Sequence, residues 1–193
     1  FANGKPGLQW QWQANPRKEW LTEGERGLHL TCSLAEKKRA IYHLPQLLLQ
    51  NFSAERFTVR TPLSLEFRHD NEEGGLVVYG QRFAALRVVN GKSGAQLWLD
   101  HGWIDDRGEL NLASRPVVDL FDKKQIVLGL RVDYDGIVHF GYQFSGTEWH
   151  EIAPQFSAGA GKWIGARIGI YARGQNSDQP GYVYFSRFTV ATH

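Results

Sequence analysis

Apolar and polar residues alternate along most of this chain with a period of two, the pattern of half-buried β-strands. Leu28-His29-Leu30-Thr31-Cys32 places Leu28, Leu30 and Cys32 on one face. Phe57-Thr58-Val59-Arg60-Thr61 does the same for Phe57, Val59 and Thr61, and Leu63, Leu65 and Phe67 continue the alternation after Pro62. Proline has no ladder N–H, so Pro62 predicts an edge strand or a bulge. Leu47 to Phe52 is an apolar run that Pro45 and Ser53-Ala54-Glu55 keep short, and it reads as a strand. Leu76 to Gly80 is another. Asn90-Gly91 and Asp135-Gly136 predict tight turns, the first joining strands within 83–99 and the second strands within 125–144. Near the start, Gly7-Leu8-Gln9-Trp10-Gln11-Trp12-Gln13-Ala14-Asn15-Pro16 puts Trp10 and Trp12 on one strand face and Gln9, Gln11 and Gln13 on the other. No helical period and no fixed repeat interrupts this series. About a dozen strands joined by turns predict an all-β, two-sheet sandwich.

Composition narrows the function classes. A length of 193 residues with 42% apolar content supports one domain with a real core. A net charge of +2 gives no electrostatic case for nucleic acid or an anionic membrane. No apolar run reaches membrane-spanning length. The single cysteine, Cys32, sits on a predicted inward face and reads as a core thiol. Methionine is absent even at position 1, so the chain is expected to be processed or cut from a longer protein.

A jelly roll that cleaves glycosides needs two carboxylates on one strand face. Asp133 and Asp135 are two apart but flank the Asp135-Gly136 turn, where Asp bonds its own backbone. Asp105, Asp106 and Glu109 surround Arg107-Gly108 and are turn-like too. Asp70, Glu72 and Glu73 share one polar stretch; Asp70 and Glu72 are weak candidates for a hard cation. The seven histidines show no zinc spacing. Aromatic residues remain, and flat rings beside amides suit a pyranose, which has apolar C–H faces and a rim of hydroxyls. Trp103 and Trp163 lie in the most loop-like settings. Tyr79 falls on a strand, and Arg87 on a strand could donate to sugar hydroxyls if it lines a concave face.

The stretch Gly7 to Pro16 resembles the opening motif of the C-terminal β-sandwich domain of glycoside hydrolase family 43 enzymes, β-xylosidases and α-arabinofuranosidases. Leu47 to Phe52 with Phe57-Thr58-Val59, then Gly74-Gly75-Leu76-Val77-Val78-Tyr79, then Gly161-Lys162-Trp163-Ile164-Gly165 with Ala166 to Ile170, are similar to later blocks of that family in the same order. The resemblance spans nearly the whole chain. It implies a concanavalin A-like jelly roll preceded by a catalytic five-bladed propeller. It also implies that the glycine-rich loop reaches the propeller's active site in several relatives, so Trp163, with Lys162 beside it, is the residue expected there. Similar sandwiches often hold a structural calcium, but where many relatives carry an Asp near positions 184 or 186 this chain has Tyr184 and Ser186.

The expectation is therefore a non-catalytic domain of residues 1–193 that binds xylan or xylo-oligosaccharide through Trp163, Lys162, Trp103, Trp10, Gln11, Trp12, Tyr79 and Arg87. A structural domain that completes the rim of the propeller's active site is the first alternative, and a free-standing jelly-roll glycosidase the second. An extracellular or periplasmic setting is expected; a cytoplasmic enzyme that processes imported oligosaccharides also fits.

Overall fold

A computed structural model describes residues 1, 4–22, 27–33, 40–161, 165–175 and 178–193. In chain order its strands are β1 (Gln11–Trp12), β2 (Leu21–Thr22), β3 (Leu28–Thr31), β4 (Leu48–Asn51), β5 (Phe57–Glu66), β6 (Glu73–Tyr79), β7 (Arg82–Gly91) and β8 (Gly94–Ile104). They continue as β9 (Leu110–Phe121), β10 (Gln125–Val132), β11 (Ile137–Gln143), β12 (His150–Ser157), β13 (Arg167–Arg173), β14 (Tyr182–Phe185) and β15 (Thr189–Thr192). One sheet has the order β1-β4-β13-β6-β7-β8-β9, and the other β12-β11-β10-β5-β14-β3-β2 with β15 also on β5. The expected all-β two-sheet sandwich is present, its register antiparallel in every pair.

The inner faces meet in one apolar core. Leu48, Leu76, Leu86 and Ile168 come from the first sheet, and Leu30, Val59, Leu128 and Phe185 from the second. A second apolar cluster lies on the opposite face of the first sheet. There Ile41 and Leu44, in the crossover from β3 to β4, cover Leu49, Val77, Phe83, Ala85 and Tyr171. Strands β4 and β6 are thus buried on both faces, which is why Leu47-Leu48-Leu49 and Leu76-Val77-Val78 are continuous apolar runs.

Several local expectations are revised. Pro62 lies in the middle of β5, a central strand, and not at an edge. Beside it β5 changes partner, from β15 along residues 57–60 to β14 along residues 63–66. The missing N–H falls in the gap between these two partners. The β7–β8 turn lies beyond Asn90-Gly91: Asn90 still pairs with Ala95 and Gly91 with Gly94. Positive φ belongs there to Gly94, at 109°. Asp135 and Gly136 do both adopt positive φ, 62° and 71°, as the turn reading requires. Strand β9 gives no alternating signal, because residues 112–116 are exposed.

Candidate functional site

The first sheet's outer face carries the polar groups. Its alternation is set by β1: Gln11 pairs with Leu49, so Gln11 and Gln13 share this face while Trp12 pairs with Leu48 and turns inward; Gln9 lies in the turn before β1. Trp10 and Trp12 are accordingly core residues. Trp10 is 9% exposed and packed between Phe1 and the edge of Phe188, with centroids at 5.5 and 4.8 Å. Trp12 lies 5.3 Å from buried Trp20. Their rings are taken up by packing and offer no flat platform to solvent. Gln11 is exposed.

At one end of this face stands Tyr79. Its ring stacks on Tyr42 of the crossover, 5.4 Å between centroids and 13° between planes. Its hydroxyl donates to the Tyr42 carbonyl at 3.1 Å and accepts from Gln13 Nε2 at 2.8 Å. Gln13 Oε1 in turn accepts from Arg167 Nη2 at 2.8 Å, and the Arg167 guanidinium sits 5.0 Å above the Tyr79 ring. Burial pushes the Tyr79 phenol up to about 12, with the Tyr42 hydroxyl adding to it and Arg167 and Gln13 opposing. The glycine-rich loop is anchored on both sides of this cluster. Gln81 N–H donates to the Ala160 carbonyl at 3.1 Å, and the Gly159 carbonyl packs so closely on Gly80 that a Cβ at Gly80 would lie 2.1 Å from its oxygen. On the far side Phe52 N–H donates to the Ala166 carbonyl at 3.3 Å, next to Arg167. Lys162 and Trp163 lie outside the described residues. Trp103, on β8 opposite Arg82, is 47% exposed.

At the other end of the face the sequence reading missed an ion network. Arg87 Nε donates to Asp100 Oδ2 at 2.9 Å and its Nη1 to Glu73 Oε2 at 2.9 Å. Arg173 Nε donates to Glu73 Oε1 at 2.7 Å, as does the Tyr171 hydroxyl at 3.3 Å. Ser114 Oγ donates to Asp100 Oδ1. Burial opposes the Arg87 charge, but Glu73, Tyr171 and Asp100 outweigh it and hold the guanidinium more firmly protonated than usual. Glu73 was read as part of a polar loop, yet it is the first residue of β6 and nearly buried. Cross-strand pairs Gly75–Arg87 and Ala85–Asp100 put these charges on one face. The network floors a depression of about 380 Å³ with Ile41, Val89 and Leu112 on its walls.

The weak cation candidates do not converge. Glu72 is fully buried, and its carboxylate accepts backbone N–H groups from Arg68, His69 and Gly181 at 2.6, 3.1 and 2.7 Å. Asp70 is exposed. Among the described residues no three His, Cys, Asp or Glu side chains cluster as a metal site. Asp133 bridges Arg131 at 3.3 Å and His139 at 3.1 Å, and Asp105 Oδ1 accepts the N–H groups of Arg107 and Glu109 at 3.0 and 2.8 Å, so both acids serve local structure. Cys32 is buried, and that burial raises its thiol pKa far above the ordinary range.

The geometry can be set beside known proteins. Residues 1–191 match the family described as the β-xylosidase C-terminal concanavalin A-like domain. No curated protein matches by sequence. Among solved structures, an engineered family 43 glycoside hydrolase with endo-xylanase and exo-arabinofuranosidase activity superposes with a TM-score of 0.81 at 18% identity; the match covers 100% of this chain and 40% of that one. Xylan β-1,4-xylosidase from Bacillus halodurans gives 0.75 at 19% identity, covering 96% of this chain and 37% of that enzyme. The chain thus spans less than half the length of these relatives. Alginate lyase from Klebsiella pneumoniae shares the fold at 0.55 and 10% identity. The chain belongs to the β-xylosidase C-terminal concanavalin A-like domain family of glycoside hydrolase family 43.

Proposed function

We propose that this module binds xylan or xylo-oligosaccharide on behalf of a family 43 catalytic domain in the same longer protein, outside the cytoplasm where the polymer is met. The observation that carries this reading is the joining of Gln13, Tyr79 and Arg167 at one end of the outer face, between the two anchored ends of the glycine-rich loop. Trp163 would supply the stacking ring and Lys162 and Gln11 further polar contacts, with Trp103 exposed near Arg82. Each such contact is weak, and useful strength comes from linkage to a catalytic domain, which raises the effective concentration of the chain ends.

Affinity electrophoresis in gels containing soluble arabinoxylan tests the proposal. The domain should be retarded, and Trp163→Ala should remove most of the retardation. The loop's anchorage also favours a second reading, in which the module completes a catalytic rim and binds no free glycan. Absence of retardation would support that reading and end the first.

A further inference from the structure

The outer face of the first sheet is divided. The crossover seats Tyr42 on Tyr79 at one end, and its Ile41 forms a wall of the depression at the other. That depression is spatially separate from the Tyr79 cluster: Arg87 lies four residues along β7 from Phe83, the strand neighbour of Tyr79's end of the sheet. We propose that the depression at Arg87 is a second saccharide site, one that takes a single neutral sugar ring of a glycan by its hydroxyls. The proposal rests on reading the module as a glycan binder.

Its chemistry follows from the network. Among the described residues, Arg87 and Arg173 on this floor are matched by two carboxylates, Glu73 and Asp100. A free anion or cation would meet repulsion as well as attraction there. A sugar hydroxyl both donates and accepts. Glu73 Oε1 and Asp100 Oδ1 each take two internal bonds and the Ser114 proton goes to Asp100, but Glu73 Oε2 and Asp100 Oδ2 take one each, so these two oxygens keep acceptor capacity for a sugar hydroxyl. The side chains are also held in place before any ligand arrives: Arg87, Glu73, Asp100 and Arg173 are 17, 5, 6 and 19% exposed. Groups already fixed lose little freedom on binding. Leu112, half exposed, and Ile41 provide an apolar wall for the C–H face of a ring. A volume of about 380 Å³ falls within the range of small-molecule pockets.

The test is a titration of the ¹⁵N-labelled chain with xylotriose, read at the backbone amides and the arginine Nε–H groups. The largest shifts should fall on Arg87, Arg173, Leu112 and Ser114. Ser114→Trp, at an exposed β9 position, should fill the depression and weaken that set by about tenfold or more. Leu112→Lys is the second variant, should the first not fold; circular dichroism identifies a folded sample. Shifts confined to Gln13, Tyr79 and Arg167 would overturn this inference and leave the proposed function standing. Shifts nowhere would overturn both. A larger response at Arg87 to galacturonic acid than to xylotriose would overturn the assignment to neutral sugars.

Discussion

Glu72 and Gly181 meet across the second sheet's margin: Glu72 Oε1 accepts the Gly181 N–H at 2.7 Å, while Oε2 takes those of Arg68 and His69. The same Gly181 gives its carbonyl to Cys32 N–H at 2.8 Å. One buried carboxylate therefore ties the β5–β6 turn to the start of β14 and, through it, to the end of β3. Three N–H donors converge on an anion that has no room to move. Glu72→Gln replaces one oxygen with an amide nitrogen that cannot accept. The variant should lose about 1–3 kcal/mol, the cost of a buried group left without its partner. Urea unfolding checks it; an unchanged midpoint would mean that the turn is held by other contacts. Gly181→Ala should be worse than an ordinary loop substitution, since its Cβ would lie 2.4 Å from both the Glu66 carbonyl oxygen and Glu72 Oε2.

Arg87 holds two nearly buried carboxylates apart from each other's repulsion. Removing it alone strands Asp100 without a cation and leaves Glu73 to Arg173 only, so Arg87→Met should cost about 3–5 kcal/mol. Neutralising the stranded acid in the same chain, as Arg87→Met with Asp100→Asn, leaves the Arg173–Glu73 pair intact and should restore much of that loss. The comparison of urea midpoints across these variants isolates the electrostatic part from the packing part. A double variant no more stable than Arg87→Met would show that shape, not charge, dominates.

How much of this was legible follows from where each signal lives. Strand parity is local, so the shared face of Trp10 and Trp12 and the Asp135-Gly136 turn could be read directly; which face is buried is not local, and both tryptophans were expected at the sugar but pack in the core. Partner identity is not local. Pro62 looked like an edge residue because nothing in residues 57–66 says that β5 exchanges β15 for β14 at that point. Strand β9 was invisible because a sheet-edge strand with exposed residues 112–116 needs no apolar alternation. The charge network was hidden for a related reason. Glu73, Arg87 and Asp100 each look like surface charges alone, and only the pairing of β6, β7 and β8 makes them neighbours. Alternation and turns supplied the sandwich and family resemblance its concanavalin A-like type; the resemblance bears on Trp163 and Lys162, but carried no information about these long-range pairs.

On the second sheet's outer face, Trp149 lies over two glycines that face each other across β10 and β11. A Cβ at Gly141 would sit 2.4 Å from the indole, and one at Gly129 2.9 Å from it. The Arg60 guanidinium caps the other side of the ring at 3.5 Å from its centroid. Gly141→Ala must lift the indole off the sheet and press it against Arg60, so that the stacked pair is displaced. A red shift of tryptophan emission and a loss of about 1–3 kcal/mol are expected, as for an overpacked site. Trp149→Phe in the Gly141→Ala background should then recover part of the stability. Emission unchanged by Gly141→Ala would mean that the ring does not rest on these glycines.

The buried Tyr79 hydroxyl makes the domain sensitive to alkali. In the unfolded chain a tyrosine ionises near pH 10, whereas burial against Tyr42 holds the folded Tyr79 phenol up to about 12, despite Arg167 and Gln13. Between these values the unfolded state has lost its proton and the folded state has kept it. The folded state binds more protons there, so stability must fall as pH rises. The contribution is whole below pH 10 and is lost by about pH 12, and it amounts to roughly 2–3 kcal/mol. Fully buried Tyr171, raised by burial and by Glu73, adds a slope of the same sign. Urea midpoints followed across this window should therefore drop more steeply for the wild type than for Tyr79→Phe, which has no proton to lose at that position. The variant should start lower, because Gln13 and the Tyr42 carbonyl lose a partner. Parallel slopes for the two proteins would show that Tyr79 ionises as freely in the folded domain as in the unfolded chain, and with it would go the view of Gln13, Tyr79 and Arg167 as a joined and buried cluster.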